Sequence, residues 1–157
     1  MSQFNASAAE WFHTALTKCG ATCVNSGLSN QQVFLVVEPM AIIAEDLSEC
    51  ILECHPGAVV LRAAHAGAAL AQLAAHPRVT AAFVHLDHRE FCGSAVGQAL
   101  LTRGAKVIFM GSRADQAPDG SILRLRGPFD TDTVTMLLQA ISECARMCQA
   151  AGEQPAT

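Results

Sequence analysis

Five short apolar runs, each separated from the next by a stretch with helical spacing, most constrain how this chain can fold. The runs are VFLVV (33–37), AVVL (58–61), TAAFVHL (80–86), KVIFM (106–110) and SILRL (121–125). A continuous apolar run of this length is typical of a strand that is buried on both faces of a sheet. Strands that alternate with helices in this way favour an α/β domain with a doubly wound, five-stranded parallel sheet.

The segments between the runs have the spacing or the end signals of helices. Helical spacing covers Met40 to Cys54, His65 to Ala75 and Gly93 to Arg103. Asp130 is expected to cap a last helix that runs to about Cys148, because Asp is a strong N-cap residue.

The length of 157 residues suits one domain. We expect this domain to cover 33–148, with an extra N-terminal helix and linker at 1–32 and a flexible tail at 149–157. In the first segment, Trp11 and Leu16 are among the apolar residues spaced for one face of a short helix.

Charge and hydropathy exclude several classes of partner. The net charge is −4, and the Lys and Arg residues are scattered, so the chain lacks the basic footprint that nucleic acids and anionic membrane surfaces require. No segment approaches the roughly 20 apolar residues of a spanning helix. The N-terminus also lacks the basic and apolar regions of a signal peptide. We therefore expect a cytoplasmic protein that binds neither nucleic acid nor membrane.

Six of the seven cysteines form three pairs with a spacing of four residues: Cys19 and Cys23, Cys50 and Cys54, and Cys144 and Cys148. Each pair would share one face of a helix, as metal ligands, redox partners or small buried residues would. Because no CxxC spacing occurs, we interpret the pairs as buried thiols. Cys92 could be a reactive thiol near Arg89, but an inert thiol is the interpretation we favour.

In an open parallel sheet, functional groups gather beyond the carboxyl ends of the strands. The residues at these ends are Glu38, Pro39, Asp87, His88, Gly111, Ser112, Gly127 and Pro128. His85 and His88 flank Asp87, where an imidazole beside a carboxylate could act as a base or bind a transition metal. A solvated loop histidine is the interpretation we favour for His88.

At these strand ends the sequence resembles the receiver domain of bacterial response regulators. VVEPMAIIAEDL resembles the first strand, its acidic pair and the start of the first helix, and FVHLDHREFCG resembles the third strand with the phosphoacceptor Asp, here Asp87. KVIFMGS and LRLRGPFD resemble the fourth strand and the fifth strand with its Lys-Pro-Phe segment. The resemblance covers roughly residues 33–145 and implies a flavodoxin-like receiver fold.

The chemistry that this resemblance implies is phosphoryl transfer from a histidine kinase to Asp87. In the family the reaction needs Mg²⁺, held by carboxylates, and a hydroxyl and a Lys that hold the phosphoryl group. Glu38 and Asp87 match family positions, and Glu38, Asp87 and Arg89 are the candidate positions for the metal.

Other positions depart from the family pattern. Pro39 replaces the second acidic residue, Gly111 stands where the hydroxyl belongs, and Gly127, before Pro128, stands where the Lys belongs. The loss of a carboxylate and a cation is expected to weaken Mg²⁺ binding and to leave a phosphoryl group with few contacts. No other cofactor is expected.

We predict a stand-alone, degenerate receiver that is not an enzyme and that binds a histidine kinase or another signalling protein. The resemblance places its partner surface around Ile122, Leu125 and Phe129, and a homodimer is compatible with it. One alternative is a phosphorylation-competent single-domain response regulator that accepts phosphoryl at Asp87. Another is a small α/β enzyme or nucleotide-binding protein, which has little support because GxGxxG, Walker A and GxSxG motifs are missing.

Overall fold

The structure is a computed structural model that describes residues 31–111 and 123–151. The elements are, in chain order, β1 (Val33–Val37), α1 (Ala41–Cys54), β2 (Val59–Ala63), α2 (Ala66–Ala75), β3 (Ala81–Val84), α3 (His88–Gly93), α4 (Ala95–Thr102), β4 (Lys106–Met110), β5 (Leu123–Leu125) and α5 (Thr131–Ala151). The strands form one parallel sheet in the order β2-β1-β3-β4-β5. This confirms the predicted doubly wound, five-stranded parallel sheet, with the strand order of flavodoxin-like folds.

Each face of the sheet carries its own apolar core. Successive side chains of a strand point to opposite faces, so Phe34 and Val36 contribute to one cluster and Leu35 and Val37 to the other. The first cluster includes residues of α1 and α5, and the second includes residues of α2, α3 and α4. Both faces are therefore covered, which explains why β1 and β3 are apolar throughout.

Several element boundaries differ from the sequence prediction. β3 ends at Val84 and not at residue 86, and the predicted loop after Asp87 is the short helix α3. The last helix continues to Ala151, into the stretch predicted to be a flexible tail. The predicted N-terminal helix lies outside the described residues, as do the first two residues of the fifth run.

Two sequence predictions, one about the start of α5 and one about the cysteines of α1, can be compared directly with the structure. Asp130 caps this helix, since its Oδ1 atom accepts hydrogen bonds from the backbone N–H of Thr133 at 2.8 Å and from the Thr133 hydroxyl at 2.6 Å. Cys50 and Cys54 were predicted to be buried thiols, but they are only partly buried, at the margin of the first cluster. Cys19 and Cys23 lie outside the described residues.

The α1 thiols also link α1 to α5. Cys54 Sγ lies 3.0 Å from the Thr135 hydroxyl, and Cys50 Sγ lies 3.5 Å from the Thr131 hydroxyl. Within the described ranges, no helix has the length and apolar character needed to cross a membrane.

Candidate functional site

The candidate site lies at the carboxyl edge of the sheet, where three adjacent strands end side by side. Glu38 directly follows β1, His85 directly follows β3, and Gly111 directly follows β4. The register of β1 and β3 pairs Val37 with Val84, so Glu38 and His85 continue the same pairing by one residue. The sheet topology therefore brings these residues together from distant parts of the sequence.

Glu38 is a buried acidic residue whose two carboxylate oxygens both have partners. Its side chain has 0% exposure. Oε1 accepts a hydrogen bond from the backbone N–H of Met40 at 3.0 Å, and Oε2 lies 2.6 Å from Nδ1 of His85. Its own N–H donates to the carbonyl of Ala63 on β2 at 3.0 Å. Burial of a carboxylate is costly unless it is paired and hydrogen-bonded, and here both conditions are met.

His85 is held by its backbone and by one ring nitrogen, and its side chain is partly exposed. Its N–H donates to the carbonyl of Val37 at 2.9 Å, and its side chain is 45% exposed. A Cβ atom at Gly111 would lie 3.2 Å from Nε2 of His85, so the imidazole occupies the space beside this glycine. Gly111 also has φ +89°, a conformation that L side chains rarely adopt.

Asp87 lies two residues beyond the end of β3, where it caps α3. Its Oδ1 atom accepts a hydrogen bond from the backbone N–H of Glu90 at 2.6 Å. β3 ends at Val84, before both His85 and Asp87. Among the hydrogen bonds of the described residues, Glu38 is joined to His85 and not to Asp87.

The predicted metal positions do not form a Mg²⁺ site in this arrangement. Both oxygens of Glu38 are engaged by the chain itself, Asp87 holds a helix N-terminus, and Arg89 is exposed. Over residues 31–111 and 123–151, no group of three or more His, Cys, Asp or Glu side chains could hold a metal ion. Mg²⁺ takes oxygen ligands in octahedral geometry, which this donor set does not supply.

The remaining predicted positions are spread around this edge. Pro39 is exposed, and Gly127 and Pro128 are exposed and joined by a cis peptide bond. Leu125 was predicted to lie on a partner surface, but it is 1% exposed and belongs to the core. It is buried because side chains alternate along a strand and its side of β5 faces α5.

Three further predicted residues fall outside the described residues or lie against the core. Ile122 and Ser112 are outside the described residues, and Phe129 is partly buried against the first cluster. The partner surface predicted from the resemblance therefore does not correspond to a set of exposed side chains in the part that the structure describes.

His88 and Cys92 lie one turn apart on α3. Cys92 is exposed, and its sulfur lies 3.5 Å from Nε2 of His88. The His88 ring meets the ring of Phe109 edge-on, with 5.7 Å between centroids. His88 is therefore packed against β4 and is not the solvated loop residue expected from the sequence.

The central residue of this site, His85, received little weight in the sequence interpretation. From the sequence it is a possible base or metal ligand beside Asp87, and its pairing with Glu38 is not predicted. A signal was nevertheless present, because Glu38 follows directly after an apolar run and His85 follows directly after Ala81–Val84. In adjacent parallel strands, residues at equivalent ends lie opposite each other.

Comparison with solved structures relates this fold to that of response-regulator receivers. No model of a protein family matches the chain, and no curated protein sequence matches it. The solution structure of SdrG from Sphingomonas melonis Fr1 is 24% identical with a TM-score of 0.57, and the match covers 73% of this chain and 99% of that one. A response regulator receiver protein from Sinorhizobium medicae WSM419 is 15% identical with a TM-score of 0.53, covering 76% and 98%. The response regulator PhyR from Brucella abortus is 20% identical with a TM-score of 0.60, covering 78% of this chain and 52% of that chain.

Proposed function

We propose that this chain, whose fold is that of response-regulator receivers, is a degenerate receiver that acts in two-component signalling by binding other proteins. In this proposal, phosphorylation at Asp87 is reduced or absent, and the protein is not an enzyme. The single observation that carries the proposal is the Glu38–His85 pair, which fills the strand-end site with an internal contact.

Phosphoryl transfer to an aspartate requires that the negative charge of the transferred group be neutralised. An aspartyl phosphate needs cations or a metal around it, because the transferred group carries negative charge. Here Glu38 is committed to His85 and Met40, and Gly127 supplies no cation. A phosphoryl group on Oδ1 of Asp87 would also displace the hydrogen bond to the Glu90 N–H that caps α3.

The partners we propose are a histidine kinase or another signalling protein in the bacterial cytoplasm, and self-association into a homodimer is compatible with this role. A net charge of −4 with scattered basic residues supports partners other than nucleic acid.

A second candidate function is phosphorylation at Asp87 by a histidine kinase. The observation in its favour is that Asp87 is only partly buried, so a donor could approach it. This candidate requires Asp87 for signalling, whereas the binding role does not.

Affinity capture with matched variants tests the proposal. Asp87→Asn removes the acceptor and keeps an N-cap side chain, whereas Asp87→Ala removes both. We expect wild type and Asp87→Asn to retain the same partners in equal amounts, as measured by quantitative mass spectrometry. Loss of the partners in Asp87→Asn, with an unchanged circular dichroism spectrum, would favour the phosphorylation-dependent function. Absence of any specific partner would contradict the binding role.

A further inference from the structure

We propose that His85 is itself a phosphoryl acceptor that reacts through Nε2, with Glu38 as the positioning residue. The proposal rests on the proposed signalling function for its biological donor, but its chemistry follows from the geometry alone. The carrying observation is a partly exposed imidazole whose Nδ1 atom lies 2.6 Å from a fully buried carboxylate.

The buried carboxylate determines which ring nitrogen is nucleophilic. With Glu38 ionised, its oxygens only accept hydrogen bonds, and the Nδ1–H of His85 is then the donor to Oε2. In the neutral ring the lone pair is then on Nε2. A carboxylate in this position fixes the tautomer and orientation of a histidine and stabilises its positive form, as in catalytic triads.

Gly111 leaves room beside this nitrogen. A side chain at position 111 would place its Cβ atom 3.2 Å from Nε2, and glycine removes that obstruction. The side chain of His85 is 45% exposed, so a small donor can reach the ring from solvent. The ring is thus held at Nδ1 by the buried carboxylate, while its side chain keeps a large solvent-exposed fraction.

The reaction is a transfer from one nitrogen to another. The Nε2 lone pair attacks the phosphorus of a phosphoramidate, which is the class that includes the phosphohistidine of a kinase. The donor P–N bond breaks, its electron pair stays on the donor nitrogen, and that nitrogen takes a proton from solvent. The new phosphoimidazolium keeps its Nδ1 proton, and the Glu38 carboxylate compensates its positive charge.

A metal ion at His85 is less consistent with the structure than a phosphoryl group. A bound transition metal normally has three or four protein ligands, and the described residues offer no such cluster. A phosphoryl group needs only one nucleophilic nitrogen and access for the donor from solvent.

The test uses the full-length protein and potassium phosphoramidate in the presence of EDTA, so that Mg²⁺-dependent aspartate chemistry is excluded. Intact-mass and peptide analysis follow the labelling of His85 against the other five histidines of the chain. We expect His85 to be labelled about tenfold faster than the others, with a product that is stable in base. Labelling of His85 at or below the rate of the other histidines would overturn the proposal, as would a base-labile product at Asp87.

Two variants separate positioning from folding. Glu38→Gln keeps an acceptor oxygen and can still bond to Met40 N–H, but it lacks the negative charge. We expect it to slow labelling of His85 by about tenfold or more and to shift the His85 tautomer away from Nδ1–H in nitrogen-15 NMR spectra. His85→Gln should abolish the fast label. An unchanged rate and tautomer in a folded Glu38→Gln protein would contradict the role of Glu38.

A negative labelling result at His85 can be distinguished from failure of the proposed binding function. Labelling needs no partner protein, whereas the binding role is measured by capture with Asp87→Asn. A protein that binds its partners but does not label at His85 would retain the first proposal and lose this one.

Discussion

His85 Nδ1 and Glu38 Oε2 lie 2.6 Å apart at the carboxyl edge of the sheet, and this contact joins residues that are 47 positions apart in the sequence. The distance is short for a hydrogen bond between nitrogen and oxygen. The contact places an imidazole, and not the carboxylate of Asp87, opposite the first acidic residue of the receiver-like site.

Removal of the His85 ring should destabilise the fold through Glu38. In His85→Ala the buried Oε2 atom loses its partner, and an unsatisfied buried polar group costs about 1–3 kcal/mol. Urea unfolding followed by circular dichroism measures the loss. Arg89→Ala, a change at a nearby exposed residue, is the control and should stay within about 0.5 kcal/mol of wild type. Equal stability of the two variants would mean that the pair contributes nothing to folding.

Gly97 is required by the close approach of α3 and α4. A Cβ atom at this position would overlap the carbonyl oxygen of Phe91, which accepts hydrogen bonds from the N–H and the hydroxyl of Ser94. Gly97→Ala should therefore cost at least about 1–3 kcal/mol, as overpacking does, because the obstacle is backbone. Thermal unfolding measures this effect.

Gly93 provides the matched control for that variant. A Cβ atom at Gly93 meets nothing within 4 Å. Gly93→Ala should be neutral or should stabilise by up to about 1 kcal/mol, because it reduces the freedom of the unfolded chain. A Gly97→Ala protein as stable as Gly93→Ala would show that α3 and α4 are not in this contact.

Asp130 makes stability depend on pH at the start of α5. Hydrogen bonds from the hydroxyl and the backbone N–H of Thr133 lower the pKa of Asp130 below its ordinary value of 3.8. The unfolded chain therefore binds a proton at Asp130 more readily than the folded chain does. The contribution of ionised Asp130 to folding stability is present above its ordinary pKa and is lost as pH falls through the lower pKa of the folded state. Comparison of wild type with Asp130→Asn in acid unfolding measures it.

The Asp130→Asn control keeps a capping side chain without the titration. The free energy of unfolding of wild type should fall relative to that of this variant as the solution is acidified below pH 3.8. At neutral pH the difference in stability between the two proteins should stay constant. Parallel curves over the whole range would show that the Thr133 hydrogen bonds do not favour the ionised form.

Thiol reactivity should separate Cys92 from the cysteines of α1. Cys92 is exposed, whereas Cys50 and Cys54 are partly buried and contact threonine hydroxyls of α5. Pulsed alkylation with iodoacetamide and peptide mass spectrometry should show Cys92 modified before the other two. As a control, the alkylation rates of the three cysteines should become equal in denaturant. Faster modification of Cys54 in the native protein would argue against its core position.

The fold could be predicted because the apolar runs carry it directly. KVIFM became β4 with the predicted bounds, since a strand buried on both faces is apolar along its whole length. The cap at Asp130 was also predictable from its residue type. Short-range chemistry and long apolar runs are the features that a sequence states most clearly.

The site was harder to predict because it depends on where β3 ends. Reading the strand to residue 86 placed Asp87 at its end, whereas the strand stops at Val84 and Asp87 begins α3. One signal for this was Asp87 followed three residues later by Glu90, a spacing typical of helix starts. A shift of two residues preserves the face of a strand but changes which side chain lies opposite Glu38.

The most direct test of the account is treatment of the protein with acetyl phosphate and Mg²⁺, followed by intact-mass and peptide analysis of wild type and Asp87→Asn. Because Glu38 is paired with His85 and Asp87 caps α3, we expect no stoichiometric aspartyl phosphate at Asp87 and no difference in bound phosphate between the two proteins. Stoichiometric, base-labile phosphorylation of Asp87 in wild type, missing from Asp87→Asn, would contradict it.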